Sequence, residues 1–300
     1  MMRFKRYEDP KLFLQQVEEF LLGEEVVNNL ALGLLYTLTR EDSHYSEKFL
    51  AYVEWEDQPL LVMVMTHPHN LVFYAKGQLE DEALKYAVAS IKELNITVPG
   101  VMGPKKLADQ FSNEWVKQNG GSRETKMEQR IYKLEKVNNI PESPGELRVA
   151  TEKDLDLITD WTYKFSKITP ETLSYDGARK LAERGINESS IFIWDHDGPV
   201  SMAKKARPTK NGIVVNLVYT PHDQQRKGYA TTCVAHLSQH LLNEGYKYCS
   251  LYTDLANPTS NSIYMKIGYE PVADSIVYKF IKCNFNQWGG QRLLNEGDLD

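Results

Sequence analysis

The sequence predicts an α/β fold of the mixed α+β type, in which a central mixed β-sheet flanked by helices is built twice along the chain. Short β-branched and aromatic segments alternate with stretches whose apolar residues recur every three to four positions. The order of these segments in residues 1–137 recurs in residues 146–282, and a breaker-rich linker at 138–145 separates the two. A chain of 300 residues is long enough for two such domains. The alternative is one mixed-sheet domain whose halves resemble each other by chance.

Periodicity and breakers assign the elements of the first half in order. Apolar residues at helical spacing predict two helices between residues 10 and 38, separated near Gly23. The remaining elements are strands at 49–55, 60–66 and 71–75, a helix at 79–94, a strand at 96–98, a helix at 104–119 and a strand that ends at Leu134.

The second half repeats this order. It is predicted to contain a strand at 147–150, helices at 154–165 and 170–183, strands at 191–194, 200–206 and 213–219, a helix at 228–243, a strand at 248–253, a helix at 259–267 and a strand at 276–280. Residues 283–300 are assigned to a C-terminal tail.

Composition narrows the class of function. The chain has 35 Lys and Arg against 41 Asp and Glu, a net charge of −6, which argues against a surface that neutralises nucleic-acid phosphates. The apolar run at 60–65 is far shorter than the roughly 18 residues of a membrane span, and acid and proline stand where a signal peptide needs apolar residues. We therefore expect a cytoplasmic protein with no nucleic-acid partner and no membrane partner.

The three cysteines, Cys233, Cys249 and Cys283, lack the spacing of a disulfide framework or a zinc site. His236 and His240 stand four residues apart, but without a third ligand they are typical of a solvated helix face. The segment Asp195-His196-Asp197-Gly198 resembles the start of a calcium loop, yet the later ligand positions are missing and a hairpin turn explains it better. No metal site is expected.

The most informative segment is the strand at 213–219 and the turn that leads it into the helix at 228–243. A strand that enters a helix through a glycine-bearing turn leaves the first backbone N–H groups of the helix without acceptors, and the helix dipole favours an anion there. Gly228 permits close approach of a phosphate, and Arg226 and Lys227 add positive charge. Pyrophosphate is the natural occupant. Neither G-x-x-x-x-G-K-[ST] nor G-x-G-x-x-G occurs in the chain, which weakens nucleoside triphosphate and nicotinamide chemistry.

Two motifs resemble those of the GNAT superfamily of acyl-CoA-dependent N-acyltransferases. The phosphate-loop pattern [RQ]-x-x-G-x-[GA] is matched by Gln225, Gly228 and Ala230. Downstream, a strand is followed by a helix of the form N-x-x-x-x-x-x-Y-x-x-x-G-[FY], matched by Asn257, Tyr264, Gly268 and Tyr269. The resemblance covers residues 146–282 and implies a catalytic GNAT acetyltransferase domain that uses acetyl-CoA as acyl donor.

The resemblance also implies a role for each matched region. The backbone at residues 218–220 would pair with pantetheine, the amides of 225–231 would hold the pyrophosphate, and two side chains would line the thioester end. The cofactor-binding residues implied are Val218, Tyr219, Thr220, Gln225, Arg226, Lys227, Gly228, Tyr229, Ala230, Thr231, Asn257 and Tyr264.

In the implied reaction a primary amine attacks the thioester carbonyl directly. The backbone N–H of Val218 would stabilise the oxyanion, and Tyr264 would act as general acid toward the coenzyme A thiolate. Many GNAT members carry a Glu in the middle of the phosphate-loop strand, where this chain has Val214 and Asn216. Water, Asp254 or His222 is then left to take the proton of the amine.

Two rival functions stay open. One is a non-catalytic acyl-CoA sensor, which the missing Glu favours. The other is an aminoacyl-transferring tandem GNAT-like enzyme, against which the intact phosphate loop and the acidic balance argue. The acceptor is not defined beyond a small-molecule or peptide amine, with a cationic small amine favoured by the net charge. A homodimer is one arrangement that the sequence allows.

The first half resembles the N-terminal degenerate GNAT-like copy of bacterial acetyltransferases, through residues 99–106, the strand at 127–134 and the linker. Its equivalent of the phosphate turn, residues 75–82, ends in Glu80, Asp81 and Glu82. Three carboxylates in a first helical turn suit the helix dipole but repel pyrophosphate. We therefore expect this half not to bind coenzyme A.

Overall fold

The computed structural model describes residues 1–43, 45–77, 79–169 and 172–282. The elements of the first half are β1 (Met2–Tyr7), α1 (Pro10–Leu22), α2 (Asn29–Leu38), β2 (Lys48–Trp55), β3 (Gln58–Thr66), β4 (Leu71–Ala75), α3 (Asp81–Glu93), β5 (Gly100–Pro104), α4 (Lys105–Asn119) and β6 (Ser122–Leu134). Those of the second half are β7 (Glu146–Val149), α5 (Leu155–Ser166), α6 (Tyr175–Asn187), β8 (Ile191–Asp195), β9 (Pro199–Ala206), β10 (Gly212–Tyr219), α7 (Tyr229–Asn243), β11 (Tyr248–Asp254), α8 (Pro258–Ile267) and β12 (Glu270–Ile281).

Within the described residues, twelve strands form one continuous sheet in the order β1-β2-β3-β4-β5-β12-β6-β11-β10-β9-β8-β7. The pairs β4–β5 and β10–β11 are parallel and the other neighbours are antiparallel. The mixed α/β sheet and the repeated order of elements that the sequence predicts are therefore confirmed.

The two halves exchange their last strands. β12, from the second half, lies between β5 and β6, so that Val277 is opposite both Met102 and Met127. β6, from the first half, pairs with β11, with Leu134 opposite Cys249. Because the sheet runs through this exchange without a break, the boundaries 1–137, 138–145 and 146–282 stay a prediction, and the tail 283–300 lies outside the described residues.

Helices cover both faces of the sheet. In the first half α1 and α2 pack on one face and α3 and α4 on the other. In the second half α5 and α6 cover one face, and α7 and α8 cover the opposite one. Among the described residues no helix is both long enough and apolar enough to span a membrane.

The main disagreement with the sequence prediction is β5, which lies at Gly100–Pro104 and not at residues 96–98. A Cβ on Gly100 would collide with the carbonyl oxygen of Tyr278 on β12, so glycine is what permits the close approach of these two strands. The predicted strand at residues 96–98 was therefore wrong, and the strand begins at Gly100.

Smaller differences concern element ends. β1 was not predicted, α3 begins at Asp81 and not at residue 79, and β12 is longer than the predicted 276–280. α6 begins at Tyr175, whereas the predicted helix starts at residue 170, which lies outside the described residues.

Candidate active site

The site begins where β10 and β11 separate. These parallel strands pair only from Gly212 opposite Tyr248 to Val214 opposite Ser250. Further along β10 the register with β9 shifts between Asn216 and Tyr219, at a bulge in which Leu217 has a φ of 50°. Because a bulge bends its strand, the end of β10 leaves β11 and a gap opens between their backbones. Val218, predicted to stabilise the oxyanion, lies at this gap.

Side chains hold the end of β10 in place. The Ser201 hydroxyl lies 2.8 Å from the Thr220 hydroxyl and donates to the Tyr219 carbonyl at 3.3 Å. Gln225 donates through Nε2 to the carbonyl oxygen of Thr220 at 3.1 Å. The side chain of Gln225, a position matched by the GNAT loop motif, therefore braces the turn within the protein.

The predicted phosphate turn reaches α7 in a conformation that exposes backbone N–H groups. Arg226 and Gly228 both have left-handed φ values, 63° and 84°. α7 has no acidic residue in its first turn and no side chain that caps its N-terminus. The amides of the first helical turn, at residues 229–231, therefore have no acceptor within the helix, while Arg226 and Lys227 are exposed beside them. This geometry is suited to an anion, and the binding of pyrophosphate there stays a prediction.

Ser143, from the predicted linker, supports this turn and was missed by the sequence analysis. Its hydroxyl donates to the Lys227 carbonyl at 2.7 Å, and its N–H donates to the Thr232 hydroxyl at 2.9 Å. A Cβ on Gly228 would lie 2.5 Å from Ser143 Oγ. Gly228 is therefore required both by its positive φ and by the packing of the linker.

Tyr264 lies on α8 in the same hydrophobic cluster that Val218 packs against. It is 8% exposed, and its ring meets that of Tyr269 edge-on at 6.0 Å. Burial raises the pKa of the Tyr264 phenol to about 12, so the group is a neutral donor at pH 7. Its hydroxyl forms no hydrogen bond within the described residues, which leaves the donor free for a ligand.

Asn257 and Asn261 organise the start of α8. Asn257 is exposed and caps the helix by accepting from the Ser260 N–H at 3.0 Å, so its predicted place at the thioester stays a prediction. Asn261 donates to the carbonyls of Asp254 and Asn257 at 2.9 and 2.7 Å. It also accepts from the Tyr132 hydroxyl at 2.9 Å. Tyr132 lies on β6, the strand that the first half contributes to the second, and no sequence motif indicates this contact.

The candidates for general base lie in different surroundings. Asp254, at the end of β11, alternates with Thr253 and so shares a sheet face with Ser250 and Tyr252. Its Oδ1 accepts from the Ala256 N–H at 2.8 Å. His222 is exposed on a short 3₁₀ turn beyond β10.

The hairpin turn predicted for residues 195–198 is confirmed and joins β8 to β9. His196 Nδ1 lies 2.7 Å from the Tyr229 hydroxyl, so this turn also anchors the first turn of α7. Carboxylate oxygens of Glu142 and Glu244 lie 3.2 Å from His236 Nε2 and 3.1 Å from His240 Nε2, respectively. No cluster of three or more His, Cys, Asp or Glu placed to hold a metal ion occurs in the described part of the chain.

Cys233 and Cys249 are buried, and burial raises the pKa of both thiols to about 12. They behave as the small hydrophobic residues that the sequence predicts. Cys283 lies outside the described residues.

The equivalent position in the first half keeps the strand geometry but not the charge. β4 and β5 pair only at Leu71–Val101 and Val72–Met102, so the end of β4, which leads to α3, does not pair with β5. The first turn of α3 carries Asp81 and Glu82, and no side chain caps it. Two carboxylates at these amides disfavour a pyrophosphate.

A parallel strand pair that separates inside a mixed sheet, followed by a glycine-bearing turn into an uncapped helix, is the arrangement that the resemblance to GNAT proteins implies. Residues 197–277 match the family model described as FR47-like protein. No curated protein matches the sequence.

Solved structures share the fold over nearly the whole chain. A GNAT-family acetyltransferase from Colwellia psychrerythraea superposes with a TM-score of 0.59 at 11% identity, covering 93% of this chain and 100% of its own. A GCN5-related N-acetyltransferase from Sphaerobacter thermophilus gives 0.61 at 9% identity, covering 92% and 94%. A tandem GNAT protein from the clavulanic acid biosynthesis pathway gives 0.57 at 9% identity, covering 93% and 97%. The chain therefore shares the fold of these GNAT proteins over nearly its whole length, and the predicted resemblance is confirmed at the level of the fold.

Proposed function

We propose that this protein is an acetyl-CoA-dependent N-acetyltransferase with one coenzyme A site per chain, in its second half. The observation that carries the proposal is the uncapped N-terminus of α7, preceded by Arg226, Lys227 and the left-handed Gly228. This anion site follows directly on the gap between β10 and β11. Pyrophosphate bound at the anion site, together with pantetheine bound in the gap, would bring the thioester to Val218.

The chemistry asks little of the protein side chains. A neutral amine attacks the thioester carbonyl, negative charge develops on the carbonyl oxygen, and the C–S bond then breaks to release coenzyme A as a thiolate. The N–H of Val218 donates to the developing oxyanion. The phenol of Tyr264 donates to the sulfur as its charge grows.

The raised pKa of Tyr264 limits the form that this assistance takes. A cysteine-like thiol has a pKa of about 8.5, whereas that of the Tyr264 phenol is about 12. Complete proton transfer from the phenol to the thiolate would therefore be uphill by about 5 kcal/mol. We assign Tyr264 the role of hydrogen-bond donor to the leaving thiolate, with its proton retained. Asp254 is the favoured acceptor for the proton of the amine. It lies on the sheet face opposite α7 and α8, which is the face that coenzyme A bound at α7 would leave open to the amine.

Calorimetry with coenzyme A, followed by a thiol-release assay with acetyl-CoA and a panel of amines, tests the proposal. We expect one site per chain and release that depends on the amine. Two sites would contradict the contrast between α7 and α3, and the absence of binding would remove the proposed function altogether.

A non-catalytic acyl-CoA sensor is the second candidate. The absence of a carboxylate on β10 and the packing of Tyr264 inside the core favour it. Binding of acetyl-CoA without turnover by any amine would support the sensor over the enzyme. A homodimer and a cytoplasmic location stay predictions from the sequence.

A further inference from the structure

A group of polar residues lies where the two halves meet, on the sheet face opposite α7 and α8. It consists of Asn29 on α2, Lys204 on β9, Arg207 just beyond β9, Asn216 on β10 and Tyr252 on β11. We call these five residues the junction cluster. None of them belongs to either GNAT motif.

The contacts within the junction cluster place its members side by side. Lys204 is directly opposite Asn216 in the β9–β10 register. Arg207 Cζ lies 5.8 Å from the centre of the Tyr252 ring, and Asn29 donates through Nδ2 to the Tyr252 hydroxyl at 3.2 Å. α2 packs closely on Arg207, since a Cβ on Gly33 would lie 2.8 Å from Arg207 Cβ.

The positive charge of the junction cluster has no carboxylate partner. Neither Lys204 nor Arg207 forms a salt bridge within the described residues. Burial is the largest influence on both cations and lowers the pKa of each. The exposed carboxylate of Glu188 acts to raise the pKa of Lys204, and the charges of Arg184 and Arg207 act to lower it. Desolvated cations without a counterion are costly, which indicates that an anion belongs beside them.

Unsatisfied polar atoms point to the same conclusion. Asn29 is 1% exposed, and its Oδ1 has no hydrogen-bond partner among the described residues. Arg207 Nε and Asn216 Oδ1 are also buried, and neither has a hydrogen-bond partner in the part of the chain that the structure describes. Buried donors and acceptors are normally paired, so a cluster with three unpaired atoms is suited to a polar ligand. The other four members of the cluster are half-buried.

The junction cluster lies within reach of the proposed reaction centre. Asn216 precedes Val218 by two residues, which can span at most about 7 Å of chain. The cluster occupies the opposite sheet face from α7, whose N-terminus would hold the pyrophosphate. A molecule bound at the cluster would therefore approach the thioester from the side that coenzyme A leaves open.

We propose that the junction cluster binds the acceptor, and that the acceptor is an amine that carries a carboxylate, of the amino-acid class. This inference rests on the proposed function and assigns the substrate class of the same site. Lys204 and Arg207 bind the carboxylate, as ammonium and guanidinium groups do, and Asn216 Oδ1 accepts a hydrogen bond from the amine. The positive charge here opposes a cationic small amine, the acceptor that net charge alone favours.

Paired acceptors that differ only in the carboxylate test the inference. We expect amino acids to be acetylated with a higher kcat/KM than the matching amino-acid amides. Lys204→Gln and Arg207→Gln should each lower kcat/KM for the amino acids by about 10- to 100-fold, the scale of one charge-assisted hydrogen bond. The loss should appear in KM for the amino acid, with kcat/KM for the amides and KM for acetyl-CoA unchanged.

Lys205→Gln is the matched control, because Lys205 is the next residue of β9 and faces Glu244 at 3.4 Å on the other side of the sheet. Equal rates with acids and amides, or equal effects of Lys204→Gln and Lys205→Gln, would overturn the inference and leave the acetyltransferase proposal standing. Preference for an aminoalkyl phosphate would show that the carboxylate assignment is wrong.

If acetyl-CoA binds but no amine is turned over, the enzyme proposal fails and the acceptor site is judged by binding alone. Calorimetric titration of amino acids into the protein saturated with coenzyme A is the readout. Binding that Lys204→Gln weakens and Lys205→Gln does not supports the site, and no binding of any amino acid overturns it.

Discussion

Tyr264 is the residue whose predicted role the structure refines most, through the surroundings of its hydroxyl. Its burial, and the absence of a hydrogen-bond partner among the described residues, fit a donor that is available to a ligand. Its pKa of about 12 fits a donor that keeps its proton. Since the phenol stays protonated below that value, no loss of activity between pH 6 and 9 should arise from Tyr264.

Tyr264→Phe should lower kcat by about 10- to 100-fold with little change in the KM for acetyl-CoA. A hydrogen bond to a charged group contributes about 1.5 to 3 kcal/mol, and this one forms only as charge develops on sulfur. Steady-state kinetics with chemistry shown to be rate-limiting measures the effect. Tyr269→Phe is the control, because it removes a buried hydroxyl that lies 2.8 Å from the Ser238 hydroxyl, inside the core. If Tyr264→Phe changes kcat less than about threefold, Tyr264 is a packing residue.

The residues that could be identified from the sequence are those whose conformation depends on the local chain. Gly228 is an example, since its left-handed φ is a property of the turn itself. Ser143 and the junction residues Lys204 and Arg207 were missed, because their surroundings come from segments far away along the chain. Their burial and missing partners exist only once both halves are folded.

Among the elements, α7 carries the strongest prediction about binding. Its free N-terminal amides and the absence of acid in its first turn leave the helix dipole uncompensated at that end. A capping or acidic side chain at this position would stabilise α7, so its absence is consistent with a bound anion.

Ala230→Asp should separate stability from ligand binding. A carboxylate in the first turn of α7 stabilises a helix by about 0.3 to 1 kcal/mol, so the Tm of the free protein should be unchanged or slightly higher. The same carboxylate repels pyrophosphate, so the rise in Tm on adding coenzyme A should be reduced or lost. Differential scanning fluorimetry measures both. Gln239→Glu, near the other end of α7, makes the same change in net charge and should keep the full ligand-induced shift.

The hairpin β8–β9 is tied to the start of α5 by one arginine. Arg148 donates to both carboxylate oxygens of Asp154, at 2.8 and 2.9 Å, and to Asp195 at 2.8 Å. The Arg148 guanidinium is the main cause that lowers the pKa of the buried Asp154 to about 2, and hydrogen bonds from Thr151 add to it. A depressed carboxyl pKa stabilises the fold above the unfolded-state pKa and loses this contribution as pH falls through the folded-state value.

Asp154→Asn should therefore lower the free energy of unfolding by about 2 kcal/mol at pH 7, since each pKa unit is worth about 1.4 kcal/mol. The contribution should be nearly complete above about pH 5 and should fade between about pH 4 and 2. Urea unfolding of both proteins across this range is the measurement. Asp156→Asn, which removes an exposed partner of Arg179, is the control and should change little. A pH-independent difference between wild type and Asp154→Asn would contradict the assigned cause.

Strands were predicted wrongly where pairing with a distant strand decides whether a segment is extended. Residues 100–104 form a strand because β12 arrives beside them, and their own sequence contains two glycines and a proline. Strand propensity is a weak guide when tertiary contacts dominate, whereas the strongly periodic helices α4 and α7 could be predicted to within about a residue.

The exchange of β6 and β12 defines the molecule as a whole. Ile276, near the C-terminal end of the chain, is fully buried in the core formed by α3, α4 and the first-half strands. Arg130 on β6 pairs with Asp274 on β12 through two contacts, at 2.7 and 3.1 Å. Each half therefore lacks a strand of its own sheet unless the other half is folded, a dependence that reading the two halves as independent copies did not foresee.

Unfolding should consequently be one cooperative transition, in spite of the two repeats. Ile276→Ala should lower the free energy of unfolding by about 2 to 5 kcal/mol, the usual cost of truncating a buried aliphatic side chain, and the loss should be shared by both halves. Hydrogen exchange in increasing urea reports this at β2–β3 in the first half and at β8–β9 in the second. Ile193→Ala, in the core under α5 and α6, is the matched variant and should also lower protection in both halves. Loss of protection in the first half alone after Ile276→Ala would show that the halves unfold independently, and the strand exchange would then join two domains without coupling their stability.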